Sequence, residues 1–379
     1  MLKKTVYVLG AGYSVDGGAP KQSEIINQIL ALPKAYPRKY KKTVENWVQE
    51  FKAFLTDTLD VLPELMPHFS LEDVYTPIDR AIQDKASFRN YSAQQLIEKR
   101  DIFNKLIILA LRNSIKKNSN TTNELLAKHL CEESKIRLKN IHNDPVSVIT
   151  TNWDITLDNE INNYLQIQNT KSEINHRGVL DYCCYISSLN ELDQWVESGL
   201  FVLGQGGYNV KLIKLHGSMN WLQCPRCNRL YVKLYKRWSG GYVFDHKYCY
   251  HCKRNYHEED NDSFLLQTVM IMPTFLKNLE NLQLKLLWMN AAHELSEASH
   301  VVFLGHSLSE ADFEFKQLLS RTIRKDATIE SVLIEDDNPD NYSGRSKYKT
   351  AGYRYESFFS GRKLKMHYSG VSEYLKSLG

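Results

Sequence analysis

The chain has 379 residues, of which 42% are hydrophobic and 24% charged, the composition of a globular protein with room for one large domain with insertions, or for two. A net charge of only +4 gives little support to a general nucleic-acid-binding role. No apolar run approaches the roughly 18 residues needed to cross a bilayer, so no membrane association is expected.

The opening Met1-Leu2-Lys3-Lys4 leads into a very short apolar run that ends in a glycine turn. It lacks the small-residue cleavage site of a signal peptide, and a cytosolic location is expected. That run, Thr5–Leu9, reads as a strand that breaks at Gly10-Ala11-Gly12. Gly17-Gly18-Ala19-Pro20 then leads to a helical stretch over Lys21–Leu32. A strand, glycine turn and helix in this order open a nucleotide-binding α/β unit.

From Pro33 to Asn140 long helical patterns dominate, at Val44–Leu62 and Ala93–Lys116, separated by polar breaks such as Lys117–Thr122. We read 33–140 as a helical insertion. Its amphipathic helices must each bury an apolar stripe, which suits self-assembly or partner docking. Strand patterns return at Val146–Thr150, with a helix expected from Leu157. Further buried strands are expected at Phe201–Leu203, Lys211–Leu215, Leu265–Met272, His300–Leu304, Thr328–Ile334 and Lys363–His367, with helices at Leu282–Ala298 and Ala311–Thr322. The alternation predicts an α/β fold with a Rossmann-like, mostly parallel sheet covered on both faces. The expected division is a Rossmann-like domain from 1–32, 141–221 and 262–379, the helical insertion 33–140, and a small zinc-ribbon-like module over 222–261.

Seven cysteines, four of them in two C-x-x-C pairs, point to reduced thiols used for metal rather than to disulfides. Cys224, Cys227, Cys249 and Cys252 have the spacing of a closed tetrahedral zinc site, with iron–sulfur ligation as the alternative. Such a site is structural, and its binding energy orders a segment too poor in apolar residues for its own core. His246, His251 and His257 lie nearby and read as surface histidines, because four thiolates already fill the shell. Cys131, Cys183 and Cys184 read as inert packed thiols.

Four polar turns follow strand patterns: Gly10–Ser14, Thr150–Asp154, His216–Ser218 and Gly305–Leu308. Ligands of open α/β sheets bind at that edge. Glycines in the first turn permit close backbone approach to phosphate, met by free N–H groups at the helix start; an ordinary glycine turn is the alternative. Val15 stands where a third glycine would complete the six-residue dinucleotide fingerprint. Asp154 can equally be a helix cap, and His216 a core histidine.

These residues resemble the sirtuin family. Its Gly-Ala-Gly-x-Ser motif matches Gly10–Ser14, and its Thr-x-Asn-x-Asp strand end is close to Thr150, Asn152 and Asp154. Its His-Gly motif ahead of the zinc cysteines matches His216-Gly217, and its later Gly-x-Ser turn matches Gly305 and Ser307. The order agrees from residue 5 to about 335, apart from the helical insertion. Protein deacylase sirtuins continue their glycine turn with Pro-Asp-Phe-Arg, whereas here Pro20 is followed by Lys21-Gln22-Ser23. His306 replaces a usual threonine, and Glu335 stands where an asparagine often contacts the adenosine ribose.

With the helical insertion, these departures resemble bacterial sirtuin-like NADases of antiphage defence, including those paired with a HerA-type DNA-translocating ATPase. The resemblance implies that NAD+ is the substrate, cleaved to nicotinamide and ADP-ribose in abortive infection. It assigns Gly10, Ala11, Gly12, Ser14, Thr151, Asn152, Asp154, Gly305 and Ser307 to nucleotide binding. Asp154 would hold the carboxamide, Asn152 would position ribose or water, and His216 would act as base. A homo-oligomer docked on a partner ATPase fits the resemblance, and because a permanently active NADase would empty its host of cofactor, gating by assembly or by an infection signal is expected. An NAD-dependent protein deacylase and a non-catalytic NAD-ligand sensor or scaffold are the other readings. Basic stretches at Pro33–Lys42 and Arg345–Lys365 can meet phosphate backbones, although solvated surface is the plainer account.

Overall fold

In a computed structural model, the structure describes residues 3–36, 38–115, 121–140, 142–171, 177–190, 197–233, 241–244, 247–256, 264–274 and 281–378. Its strands are β1 (Thr5–Leu9), β2 (Val146–Thr150), β3 (Gly178–Asp181), β4 (Ile186–Ser188), β5 (Tyr208–Lys214), β6 (Gly217–Gln223), β7 (Leu230–Val232), β8 (Gln267–Met270), β9 (His300–Leu304), β10 (Thr328–Val332) and β11 (Lys363–His367). Seven of them form one parallel sheet in the order β11-β10-β9-β1-β2-β5-β3. The central strands are apolar on both faces because helices cover both, and all five residues of β2 are buried.

Helices α1 (Ala11–Ser14) and α2 (Ile25–Ala31) follow β1. Helices α3 (Arg38–Ala53), α4 (Leu71–Gln83) and α5 (Ala93–Ser114) come next, and α6 (Thr121–Ser134) and α7 (Thr156–Lys171) flank β2. Helix α8 (Gly199–Gly204) precedes β5, and α9 (Gly241–Phe244) and α10 (Tyr250–Asn255) lie near the paired cysteines. Helices α11 (Leu282–Glu297), α12 (Phe313–Thr322), α13 (Ala351–Phe358) and α14 (Val371–Lys376) alternate with β9, β10 and β11.

The expected insertion divides its side chains between two cores. Phe51, Phe54, Val74, Ile78, Phe103 and Ile107 pack with Ile25 and Ile29 of α2 in a second, mostly helical core that Met219 of β6 and Met270 of β8 also enter. Leu126, Leu130 and Cys131 of α6 belong instead to the core of the parallel sheet. Helix α4 starts cleanly because Ser70 accepts from the Asp73 amide, and α5 because Ser92 and Gln95 form a capping box. The polar break expected at Lys117–Thr122 lies outside the described residues as far as residue 120.

Two strand expectations change. Phe201–Leu203 lies within α8, with Leu200 83% and Phe201 57% exposed and Val202 buried; so short an apolar run does not separate strand from helix. The Leu265–Met272 run supplies β8, which joins a separate four-stranded sheet, β4-β7-β6-β8, rather than the parallel one. Antiparallel β6 and β7 in that sheet carry the first cysteine pair between them. The α9 segment reaches the helical region, where the Phe244 ring stacks on Tyr40 (4.1 Å, 9°) and Trp47 (5.5 Å, 6°). Among the described residues, no helix is long and apolar enough to cross a membrane.

Candidate functional site

Four turns leave the sheet at one level. Leu9 is in register with Thr150 and with Leu304, and Thr150 with Lys214. The segments after β1, β2, β5 and β9 therefore emerge side by side at the carboxyl edge. Chain order reverses between β1 and β9, the place where open α/β sheets carry their ligands. A cleft partly open to solvent lies there. Gly10, Ala11, Ser14, Thr151, Asn152, Asp154, His216 and Ser307 all line it.

Gly12 and Gly305 are not among the lining residues; they pack against each other. The Gly12 amide donates to the Gly305 carbonyl (2.9 Å), and the Gly10 amide to the Leu304 carbonyl (3.2 Å). A Cβ on Gly12 would stand 2.8 Å from Gly305 O. On Gly305, whose φ is +58°, it would stand 2.2 Å from Tyr13 N. Glycine here lets two turns touch backbone to backbone. The Gly12 and Tyr13 amides are already engaged, the latter with Gly10 O at 3.0 Å, so they are not the free donors expected for a phosphate.

Asn152 fastens that turn to the end of β2. Its Nδ2 donates to Gly10 O (2.8 Å) and Ser14 Oγ (3.0 Å), which uses both amide hydrogens and leaves Oδ1 as an acceptor. Asp154 Oδ1 accepts from the Thr156 amide (3.1 Å) and Thr156 Oγ1 (2.6 Å) at the start of α7. Asp154 thus caps a helix and lines the cleft at once. Below it, Lys214 Nζ donates to the Asp154 carbonyl (2.5 Å) and pairs with Asp158 (3.1 Å). Tyr182 donates to the same carboxylate (2.7 Å). Burial raises the Asp158 carboxyl above its ordinary range and outweighs Lys214 beside it. Burial also pushes the Tyr13 hydroxyl far up, with Asp154 adding to the shift.

His216 sits between β5 and β6 and is 6% exposed. Its carbonyl accepts from the Ile271 amide (2.9 Å). Its ring lies 6.4 Å from that of Trp288, whose Nε1 donates to Leu215 O (3.1 Å). The backbone turns at once after it, at Gly217 with φ +70°, where a Cβ would meet Val269 O at 2.3 Å. Ser307 is held from behind by Arg354, whose Nε donates to its carbonyl (2.7 Å).

Several lining residues carry weak sequence signals or none. His306 and Gln22 appear only as departures from a motif, and Leu111 is one apolar residue in a helical pattern. Leu111 and Ile25 bring the helical core to the cleft wall, a long-range placement that no local pattern encodes.

The four paired cysteines form a second centre. Their sulfurs all lie within 4.8 Å of one another, with Cys224–Cys252 at 3.8 Å and Cys227–Cys249 at 3.7 Å. Thiolates about 2.3 Å from a tetrahedral ion stand about 3.8 Å apart, so the donor set fits zinc. The Tyr231 hydroxyl, 3.0 Å from Cys249 Sγ, is an outer hydrogen-bond partner of the kind that orients such ligands. Of the neighbouring histidines, His251 bonds Asn255, and His246 and His257 lie outside the described residues. Burial raises the Cys131, Cys183 and Cys184 thiols, which suits inert packing.

No protein family matches the sequence, and no curated protein does either. Among solved structures the chain is similar to Sir2 bound to acetylated peptide, at 15% identity and a TM-score of 0.38, over 99% of this chain and 91% of that one. It is similar as well to a Sir2–p53 peptide–NAD+ complex, at 16% identity and a TM-score of 0.38, over the same shares. At these values the site is read from its own geometry.

Proposed function

We propose that the protein is a sirtuin-like NAD+ glycohydrolase that cleaves NAD+ to nicotinamide and ADP-ribose, with zinc as a structural ion. The observation that carries this reading is the convergence of the Gly10–Ser14, Thr151–Asp154, His216 and Ser307 turns on one cleft at the switch point of the parallel sheet.

In the reaction the bond from ribose C1′ to the nicotinamide nitrogen breaks, and its electron pair leaves with nicotinamide. Water forms the new C1′–O bond and loses a proton. His216 takes that proton, directly or through a ribose hydroxyl, because an imidazole is a competent base near neutrality. Asn152 Oδ1 orients the water or hydroxyl, and Asp154 holds the carboxamide. Ala11, Ser14 and Thr151 bind the rest of the nucleotide, Gly10 and Ser307 line its walls, and Gly12 and Gly305 hold the two turns together behind them. Hydrolysis rather than deacylation is supported by Lys21-Gln22-Ser23, which stands where the deacylases carry Asp-Phe-Arg.

An NADase that is always active would empty its cell of cofactor. We therefore infer gating by a homo-oligomer and a HerA-type ATPase, in antiviral defence. Chromatography of the products from purified protein and NAD+ tests the activity. Free nicotinamide and ADP-ribose without any peptide are expected. Acetyl-ADP-ribose formed only with an acylated peptide would make the protein a deacylase, and bound NAD+ that never turns over, even with the partner ATPase present, would make it a sensor.

A further inference from the structure

Part of the cleft wall comes from outside the sheet. Gln22 lies in a short 3-10 turn ahead of α2, and its side chain lines the cleft. Its Nε2 donates to Glu72 Oε1. The other Glu72 oxygen accepts from Ser70 Oγ at 2.9 Å, and Ser70 in turn caps α4 through the Asp73 amide (3.2 Å). Glu72 stands in the first turn of that helix, where the helix dipole stabilises its negative charge.

A carboxylate only accepts hydrogen bonds, so the nitrogen end of the Gln22 amide has to face Glu72. The two ends of a free glutamine amide are interchangeable; here the charge of Glu72 selects one orientation. Oε1, an acceptor, is then the end of this cleft-lining residue that Glu72 does not hold. Such an end attracts a hydroxyl or amide hydrogen and disfavours a phosphate, which offers only acceptors.

We propose that Gln22 is a binding residue that accepts a hydrogen bond from a ribose hydroxyl or the carboxamide of a nicotinamide nucleotide, with Glu72 of the helical region as the positioning residue that orients it. This rests on the NAD+ reading above. It makes the start of α4 one point at which the helical region acts on ligand binding, besides Leu111 and Ile25 in the cleft wall.

The test is a double-mutant cycle with Gln22→Met and Glu72→Gln, read by calorimetric titration of NAD+ in a His216→Ala background and by KM and kcat in the otherwise unchanged chain. Gln22→Met is expected to weaken NAD+ binding about tenfold, a usual cost of one lost polar contact. KM should rise accordingly, while kcat and the thermal midpoint stay near those of the parent. Glu72→Gln should weaken binding severalfold, and adding it to Gln22→Met should cost nothing more, because both changes remove one interaction. Unchanged affinity in Gln22→Met, or losses that simply add, would overturn the inference while leaving the NAD+ reading intact. Failure of the parent protein to bind NAD+ at all would overturn both.

Discussion

The Gly12 amide donates to the carbonyl of Gly305 at 2.9 Å, and this bond joins the turn after β1 to the turn after β9 across the switch point of the sheet. Both residues have to be glycine for the turns to meet. Gly305→Ala places a methyl group 2.2 Å from Tyr13 N at a positive φ, so the turns must part. We expect it to lower stability by roughly 2 kcal/mol or more and to abolish nucleotide binding. Urea midpoints and a binding titration check this, and a midpoint equal to that of the parent would refute the packing role.

Lys214 and Asp158 form a pair whose side chains are 1% and 3% exposed. Lys214→Met leaves the Asp158 carboxylate buried beside the Tyr182 hydroxyl without its cation, at a cost of roughly 3–5 kcal/mol. It also frees the Asp154 carbonyl that Lys214 holds. Adding Asp158→Leu should recover much of the stability, because a buried pair is replaced by apolar volume. Binding should stay weak in the double variant, since the Thr151–Asp154 turn has lost its lower anchor. Full recovery of both properties would show that the pair does no positioning.

Much of this site is legible along the chain because each turn carries its own local chemistry. Asn152 and Asp154 follow five buried residues of a parallel strand, and His216 precedes a glycine that has to turn. What the sequence hides is reach across the fold. Gly12 reads as a phosphate contact, yet its amide is spent on a residue near the other end of the chain. Leu111 belongs to a helix that looks detached from the sheet, and it still lines the cleft. Such placements depend on how separate cores pack, which periodicity within one segment does not record.

Asp144 gathers cations at the opposite end of the sheet. Its Oδ2 lies 2.7 Å from Lys4 and 2.5 Å from Lys211, and Arg137 bonds Oδ1. Burial alone would raise this carboxyl, but Lys211, Arg137 and Lys4 outweigh it and hold the group well below the usual carboxylate range. A depressed carboxyl stabilises the fold above its unfolded pKa of about 3.9, and that contribution is lost as pH falls toward the folded value. Asp144→Asn should therefore cost roughly 2 to 3 kcal/mol at pH 7, with the difference from the parent shrinking below pH 4. Parallel stability curves for the two proteins across that range would contradict the assignment.

Among the described residues, the apolar support of the cysteine centre is small: Leu222, Tyr231, Phe264 and Leu266, with Leu189 and Tyr250 packed against them. Metal binding must then supply much of its folding free energy. Elemental analysis should find one zinc per chain, lost in Cys249→Ser. A chelator at neutral pH should open the Cys224–Cys252 segment to protease before the parallel sheet unfolds. Simultaneous loss of both, followed by circular dichroism and proteolysis, would show the module to be integral to the main core instead.

On the proposed mechanism, His216 and Asn152 allow binding and chemistry to be separated. The His216 carbonyl accepts from the Ile271 amide and alanine keeps that backbone bond, so His216→Ala should retain the fold and NAD+ binding. Loss of a general base lowers turnover by about 10²–10⁴-fold, and nicotinamide release should fall by that much. Asn152→Ala removes two bonds to the glycine turn as well as the Oδ1 acceptor, so it should weaken binding and turnover together. Asn152→Asp keeps an acceptor but sets a carboxylate against the Gly10 carbonyl, and it should rescue neither. Chromatographic nicotinamide release with calorimetric NAD+ titration resolves these outcomes, and undiminished NAD+ loss in His216→Ala would remove His216 from the mechanism.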